Sequence, residues 1–150
     1  MAISLANDFK EFLRLLNSNN VEYLLVGGYA VSIHGYPRAT GDLEIWVRES
    51  AENAERLVIV IREFGFGFTN PEQRWFLEDD RIIRMGHPPV RIEVLTDISG
   101  VEFDGCYRRA ETTVIDGVPA RVIGRQDLLR NKRASGRHKD LHDVDQLEQP

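Results

Sequence analysis

The chain has 150 residues, 42% of them hydrophobic and 29% charged, with 12 glycines, 6 prolines, one cysteine and a formal net charge of −5. This predicts one domain and excludes collagen-like, low-complexity and strongly disordered classes, while the lone Cys106 excludes an internal disulfide and points to a reducing, cytoplasmic setting. No apolar run reaches the roughly 20 residues that span a bilayer, no signal peptide is read at the start, and the acidic balance argues against a broad nucleic-acid surface but not against a small basic pocket for an anion.

Leu5, Phe9, Phe12, Leu13 and Leu16 recur at helical spacing and predict an amphipathic helix over 4–19. Asn17-Ser18-Asn19-Asn20 stops it. Residues 21–26 then read as a buried strand ended by Gly27-Gly28. A short helix over 29–35 follows, which Pro37 prevents from continuing. Residues 42–48 alternate polar and apolar, the pattern of a half-buried strand. Ser50 is placed to cap a helix over 51–64, and 65–68 are expected to bend or form a short strand. Strands are predicted at 81–85 and 91–96, joined by Gly86-His87-Pro88-Pro89. Asp116-Gly117 joins strands at 112–115 and 120–123 as a hairpin. Two helices, 126–135 and 139–148, close the chain with Gly136 between them. This order predicts an α+β fold with a central sheet.

Side chains two apart on a strand share a face. Leu43, Ile45 and Val47 are therefore assigned to the core, and Asp42, Glu44 and Trp46 to the opposite face. The segment Arg91-Ile92-Glu93-Val94-Leu95 repeats the pattern, with Arg91 and Glu93 sharing a face. If these strands are neighbours, Glu93 approaches Asp42 and Glu44. Three carboxylates on one patch repel each other unless a cation lies between them, and hard oxygen donors suit Mg²⁺ or Mn²⁺. Two such ions can activate an attacking oxygen and stabilise a leaving pyrophosphate. Taken alone, Asp-x-Glu is as consistent with an ordinary solvated strand face, and a Gly-Gly pair with a tight turn. Gly27-Gly28 lies just upstream, between a strand and a helix, where glycines let backbone approach a phosphate.

Val26-Gly27-Gly28-Tyr29-Ala30, His34-Gly35 and the run from Arg38 through Thr40, Asp42 and Glu44 to Val47 resemble the minimal nucleotidyltransferases of the DNA polymerase β superfamily. The nearest branch resembles small bacterial proteins related to toxin–antitoxin and abortive-infection systems. Arg91 to Thr96 resembles the strand with the third carboxylate. Asp127-Leu128-Leu129, Lys132, Arg137, Lys139-Asp140-Leu141 and Asp143 resemble the branch's C-terminal helices. The resemblance implies a curved mixed sheet flanked by helices, the nucleotidyltransferase fold. It implies transfer of a nucleoside monophosphate from a nucleoside triphosphate to an acceptor, with two divalent ions. Asp42 and Glu44 would ligate both ions, Glu93 would help activate the acceptor oxygen, and Gly27 and Gly28 would hold the triphosphate.

The sequence departs from that family at three positions. Tyr29 follows Gly28 where a serine is common, and Glu44 and Glu93 stand where aspartates are usual. An extra methylene displaces a carboxylate by more than about 1 Å, and such a misplacement can cost about 10²-fold in rate. The alternative reading is therefore a member of the fold that binds nucleotide or a protein partner with impaired catalysis, including one half of a toxin–antitoxin pair. Arg38 and Thr40 lead into Asp42 and are candidates for phosphate contact; Arg38 is equally suited to pairing with an acid. Trp46 reads first as packing and second as a stacking surface for a base. His34 reads as a structural hydrogen-bonding residue. Lys132, matching the family's C-terminal lysine, is the candidate cation for the triphosphate, ahead of Arg137 and Lys139. The acceptor is left open among small molecules, protein hydroxyls and RNA ends.

Overall fold

A computed structural model describes residues 3–65 and 70–149; of the bend or short strand expected at 65–68, residues 66–68 lie outside them, and Gly65 caps the helix ending at Phe64 in the left-handed conformation. Helix α1 spans Asn7–Ser18 and buries Phe9, Phe12, Leu13 and Leu16. It begins later than its periodicity predicts because the Leu5 N–H donates to Asp116 Oδ2 at 2.9 Å, which holds that residue outside the helix. Strand β1, Tyr23–Val26, is fully buried. Val21 and Glu22 do not join it. The Val21 N–H is taken by the Leu16 carbonyl at 3.0 Å and the Glu22 N–H by Asn53 Oδ1 at 2.8 Å.

Helix α2, Gly27–Ile33, absorbs the two glycines into its first turn. Strand β2 is Asp42–Val47, and α3 is Ala51–Phe64. The Ser50 side chain accepts from the Asn53 N–H and caps α3 as the sequence predicts. A 3-10 turn at Gln73–Phe76 precedes strands β3, Ile82–His87, and β4, Val90–Leu95. Helix α4, Phe103–Arg108, leads to the hairpin of β5, Glu111–Ile115, and β6, Val118–Val122. Helices α5, Arg125–Ser135, and α6, His138–Glu148, pack on each other. Among the described residues no helix is long and apolar enough to cross a membrane.

The strands form one mixed sheet in the order β3-β4-β2-β1-β6-β5. β2 runs parallel to β4 and antiparallel to β1. One residue departs from the half-buried pattern. Leu43, Ile45 and Val47 are fully buried, as expected, but Trp46 is also only 1% exposed. Its ring meets Phe103 of α4 edge-on at 5.1 Å. Phe103 stacks on Tyr107 at 5.3 Å, and the Arg48 guanidinium lies 4.8 Å from the Phe103 ring centre. Helix α4 thus covers the far half of β2, so Trp46 is packing and presents no stacking surface. The half of β2 that stays open carries Asp42 and Glu44.

Candidate functional site

The parallel register of β2 and β4 sets Glu44 opposite Glu93 and Asp42 opposite Arg91. All three carboxylates line one cavity of about 420 Å³. Gly27, Gly28, Arg38, Thr40 and Lys132 line it too, whereas Trp46 and His34 do not. The floor is sheet, one wall is the start of α2, and the other wall comes from α5 and α6.

The glycines fit this wall for a steric reason. Gly27 has a φ of +69°, which only glycine adopts without cost. A Cβ there would lie 1.7 Å from Glu44 Oε2 and 3.2 Å from Glu44 Cβ. A Cβ on Gly28 would lie 2.6 Å from Thr40 Oγ1. The Gly28 N–H in turn points at Glu44 Oε2, at 3.4 Å. Gly27→Ala carries a left-handed-backbone cost of about 1–2 kcal/mol. It is expected to lower Tm by about 2–8 °C and to swing the Glu44 carboxylate out of its place. Thermal melting and a crystal structure of the variant check this; an unmoved Glu44 at unchanged Tm contradicts it.

Burial pushes the Glu44 pKa up, opposed by the Lys132 charge and reinforced by the like charge of Glu93. The other two carboxylates are neutralised by guanidinium groups. Arg91 donates Nε and Nη2 to the two oxygens of Asp42 at 3.1 and 3.0 Å. Those hydrogen bonds raise the pKa of Arg91 itself. Arg84 Nε donates to Glu93 Oε2 at 2.8 Å, and Glu93 is only 8% exposed. As the side chains stand, no group of three His, Cys, Asp or Glu among the described residues is spaced to hold a metal ion. The donor chemistry nonetheless suits a hard divalent cation, since three carboxylates face one cavity. Arg91 shares its face with Glu93 in the sequence pattern, but Arg84 comes to the site only through the β3–β4 register, which no local signal encodes.

The opposite wall is an ion network. Lys132 is 5% exposed, with Nζ at 3.3 Å from Asp140 Oδ1 and 3.2 Å from Asp143 Oδ2. Asp143 also accepts both Nε and Nη2 of Arg38, each at 3.0 Å. Of the two uses weighed for Arg38, the structure shows the pairing with an acid. Asp140 further accepts from Ser135 Oγ at 2.8 Å and Arg137 Nε at 2.7 Å. Burial alone would raise the Asp140 pKa; the bonds from Arg137 and Ser135 and the charge of Lys132 outweigh it and hold it at about 2. A depressed folded-state pKa stabilises the fold above the ordinary value of 3.8, and that contribution is lost as pH falls toward about 2. Melting curves across that range are expected to show a loss of Tm that is weaker in Asp140→Asn; identical slopes contradict it.

Elsewhere, His34 Nε2 meets the Ile123 carbonyl at 2.7 Å, a structural link between α2 and the end of β6. Cys106 is buried, and burial, the largest influence, pushes its thiol pKa up to about 11.

No family model matches the sequence, and no curated protein sequence matches it. Solved structures do match. One is the Thermotoga maritima protein TM1012, provisionally described as a nucleotidyltransferase, at 16% identity and TM-score 0.60, covering 91% of this chain and 88% of that one. Another is the lincosamide antibiotic adenylyltransferase LnuA in its lincomycin-bound form, at 15% identity and TM-score 0.60, covering 99% of this chain and 98% of that one. A third is the antibiotic-resistance factor ANT(2'')-Ia, at 11% identity and TM-score 0.60, covering 93% and 80%. None of the three is described as part of a toxin–antitoxin pair. The chain has the nucleotidyltransferase fold, an α+β architecture on a mixed six-stranded sheet.

Proposed function

We propose that the protein is a nucleotidyltransferase that uses Mg²⁺ or Mn²⁺ to move a nucleoside monophosphate from a nucleoside triphosphate to an acceptor. The observation that carries this reading is the register of Glu44 opposite Glu93, with Asp42 on the same cavity and Gly27-Gly28 beside it. Asp42, Glu44 and Glu93 are the residues that would hold the metal. Cations held there would supply charge neutralisation for the polyphosphate and would acidify the attacking group.

The remaining roles fall to the chain itself. Gly27 and Gly28 carry no side chain, so the polyphosphate can approach the α2 backbone closely. Lys132 and Arg38 place positive charge along the wall, and Asp140 and Asp143 fix where those charges sit. Thr40 Oγ1, packed over Gly28, offers a hydroxyl to a phosphate oxygen. Glu93, nearly buried at the sheet floor, orients the acceptor and helps activate its oxygen. The lincomycin-bound neighbour favours a small-molecule acceptor over a protein hydroxyl or an RNA end.

A second reading has its own support. Asp42 and Glu93 hold arginines, and the second and third carboxylates are glutamates, so a nucleotide-binding protein with impaired turnover also fits. Incubation with each α-labelled nucleoside triphosphate, either metal and a panel of acceptors separates them. Transfer of labelled monophosphate with pyrophosphate release supports the first reading. Nucleotide binding without transfer supports the second. Neither binding nor transfer contradicts both.

A further inference from the structure

We infer that Arg91, seconded by Arg84, is a built-in counter-cation of the carboxylate triad that a divalent ion must displace from Asp42. The inference rests on the proposal that the triad holds such an ion. Three carboxylates without compensation would repel one another; this chain compensates them with its own guanidinium groups.

The pairing is set by backbone register rather than by a chance side-chain rotamer. Arg91 stands opposite Asp42 across β2 and β4, and Arg84 stands opposite Glu93 across β3 and β4. Neighbouring strands lie about 4.8 Å apart, so directly opposed side chains on one face meet. The Arg91–Asp42 pair uses the planar fork on both carboxylate oxygens, at 3.1 and 3.0 Å, the strongest form of this contact. Both partners are about 30% exposed, so solvent screens the pair only in part. Arg91 Nη2 is also 4.0 Å from Glu93 Oε1, so one side chain spans two members of the triad.

Two consequences follow for a cation. It must take oxygens from Asp42 that Arg91 already occupies. Once bound, it sits beside a like charge that stays tethered to β4. Arg91 therefore weakens metal binding by the free protein, and its removal strengthens it.

The test is titration of the full chain with Mn²⁺ alone, followed by the electron paramagnetic resonance of the free ion. Arg91→Met is expected to bind Mn²⁺ at least about fivefold more tightly than the wild type, the lower end of ordinary site-to-site coupling. Arg91→Lys, which keeps a charge but loses the fork, is expected to fall between them. Arg84→Met shifts affinity in the same direction and provides a second variant if Arg91→Met does not fold. Arg133→Met, which removes a cation paired to Glu148 outside this cavity, controls for net charge and leaves the affinity unchanged. Asp42→Asn abolishes binding in either background. If Arg91→Met and Arg84→Met bind no more tightly than wild type while Asp42→Asn still weakens binding, the counter-cation role falls and the metal site stands. If no variant binds Mn²⁺, both fall.

Discussion

Asp42→Asn is expected to lower nucleotidyl transfer by roughly 10³-fold or more while leaving the fold intact. The substitution keeps shape and volume and removes one charge and one anionic oxygen from the triad. Loss of a single charge-stabilising group in a preorganised site typically costs about 10²–10³ in rate, and here the same group is the proposed anchor for the cation. Its structural cost is small. Asp42 and Arg91 are each about 30% exposed, so the orphaned guanidinium is partly solvated. A pair of this kind contributes about 0.2–1 kcal/mol, which corresponds to a Tm change of no more than about 4 °C. Initial rates with the best triphosphate and acceptor, beside a melting curve, check both halves. Full activity in a folded Asp42→Asn protein would remove Asp42 from the chemistry.

The largest stability effect is expected on the opposite wall, in Asp140→Ala. Asp140 is fully buried and carries contacts from Lys132, Arg137 and Ser135. Removing one partner of a buried ion network leaves the other charge uncompensated, at a cost of about 3–5 kcal/mol. Lys132 keeps Asp143 at 3.2 Å, so the lower end applies. A loss of about 3 kcal/mol lowers Tm by roughly 6–12 °C. Asp143→Ala adds a second signature, because it frees Arg38 while Lys132 keeps Asp140 at 3.3 Å. A shift below about 2 °C in Asp140→Ala would show that the network contributes little to the fold.

Much of the site was legible because its elements obey short-range rules. The period of two in 42–48 assigned Asp42 and Glu44 to one face, and the same period assigned Glu93 in its own strand. Their convergence needed only the adjacency of β2 and β4, which the sheet order provides. Ser50 and the Asp116-Gly117 turn were equally local signals: α3 begins directly after Ser50, and the turn joins β5 to β6, although β6 starts at Val118, two residues before the predicted 120.

What was not legible depends on long-range contacts. Trp46 follows the polar period yet is buried, because α4 covers that end of β2. Helix α4 itself, Phe-Asp-Gly-Cys-Tyr-Arg, is six residues long with a glycine inside, too short for a helical period to show. It is held by Phe103 and Tyr107 against Trp46 and Arg48 rather than by intrinsic propensity. The pairing of Lys132 with two acids of α6 likewise arises only when α5 and α6 pack. Gly27 and Gly28 were placed between a strand and a helix starting at Tyr29; the strand does end at Val26, but the left-handed Gly27 already opens α2, and its place follows from the closeness of Glu44.

A crystal structure of the protein with Mn²⁺ and a nonhydrolysable nucleoside triphosphate decides whether Asp42, Glu44 and Glu93 hold a metal beside the glycines. Anomalous density is expected within about 2.5 Å of oxygens from Asp42, Glu44 and Glu93, with the triphosphate lying between that density and the Gly27-Gly28 backbone. Mn²⁺ bound away from these carboxylates, or a triphosphate seated outside the cavity they share with the glycines, would contradict it.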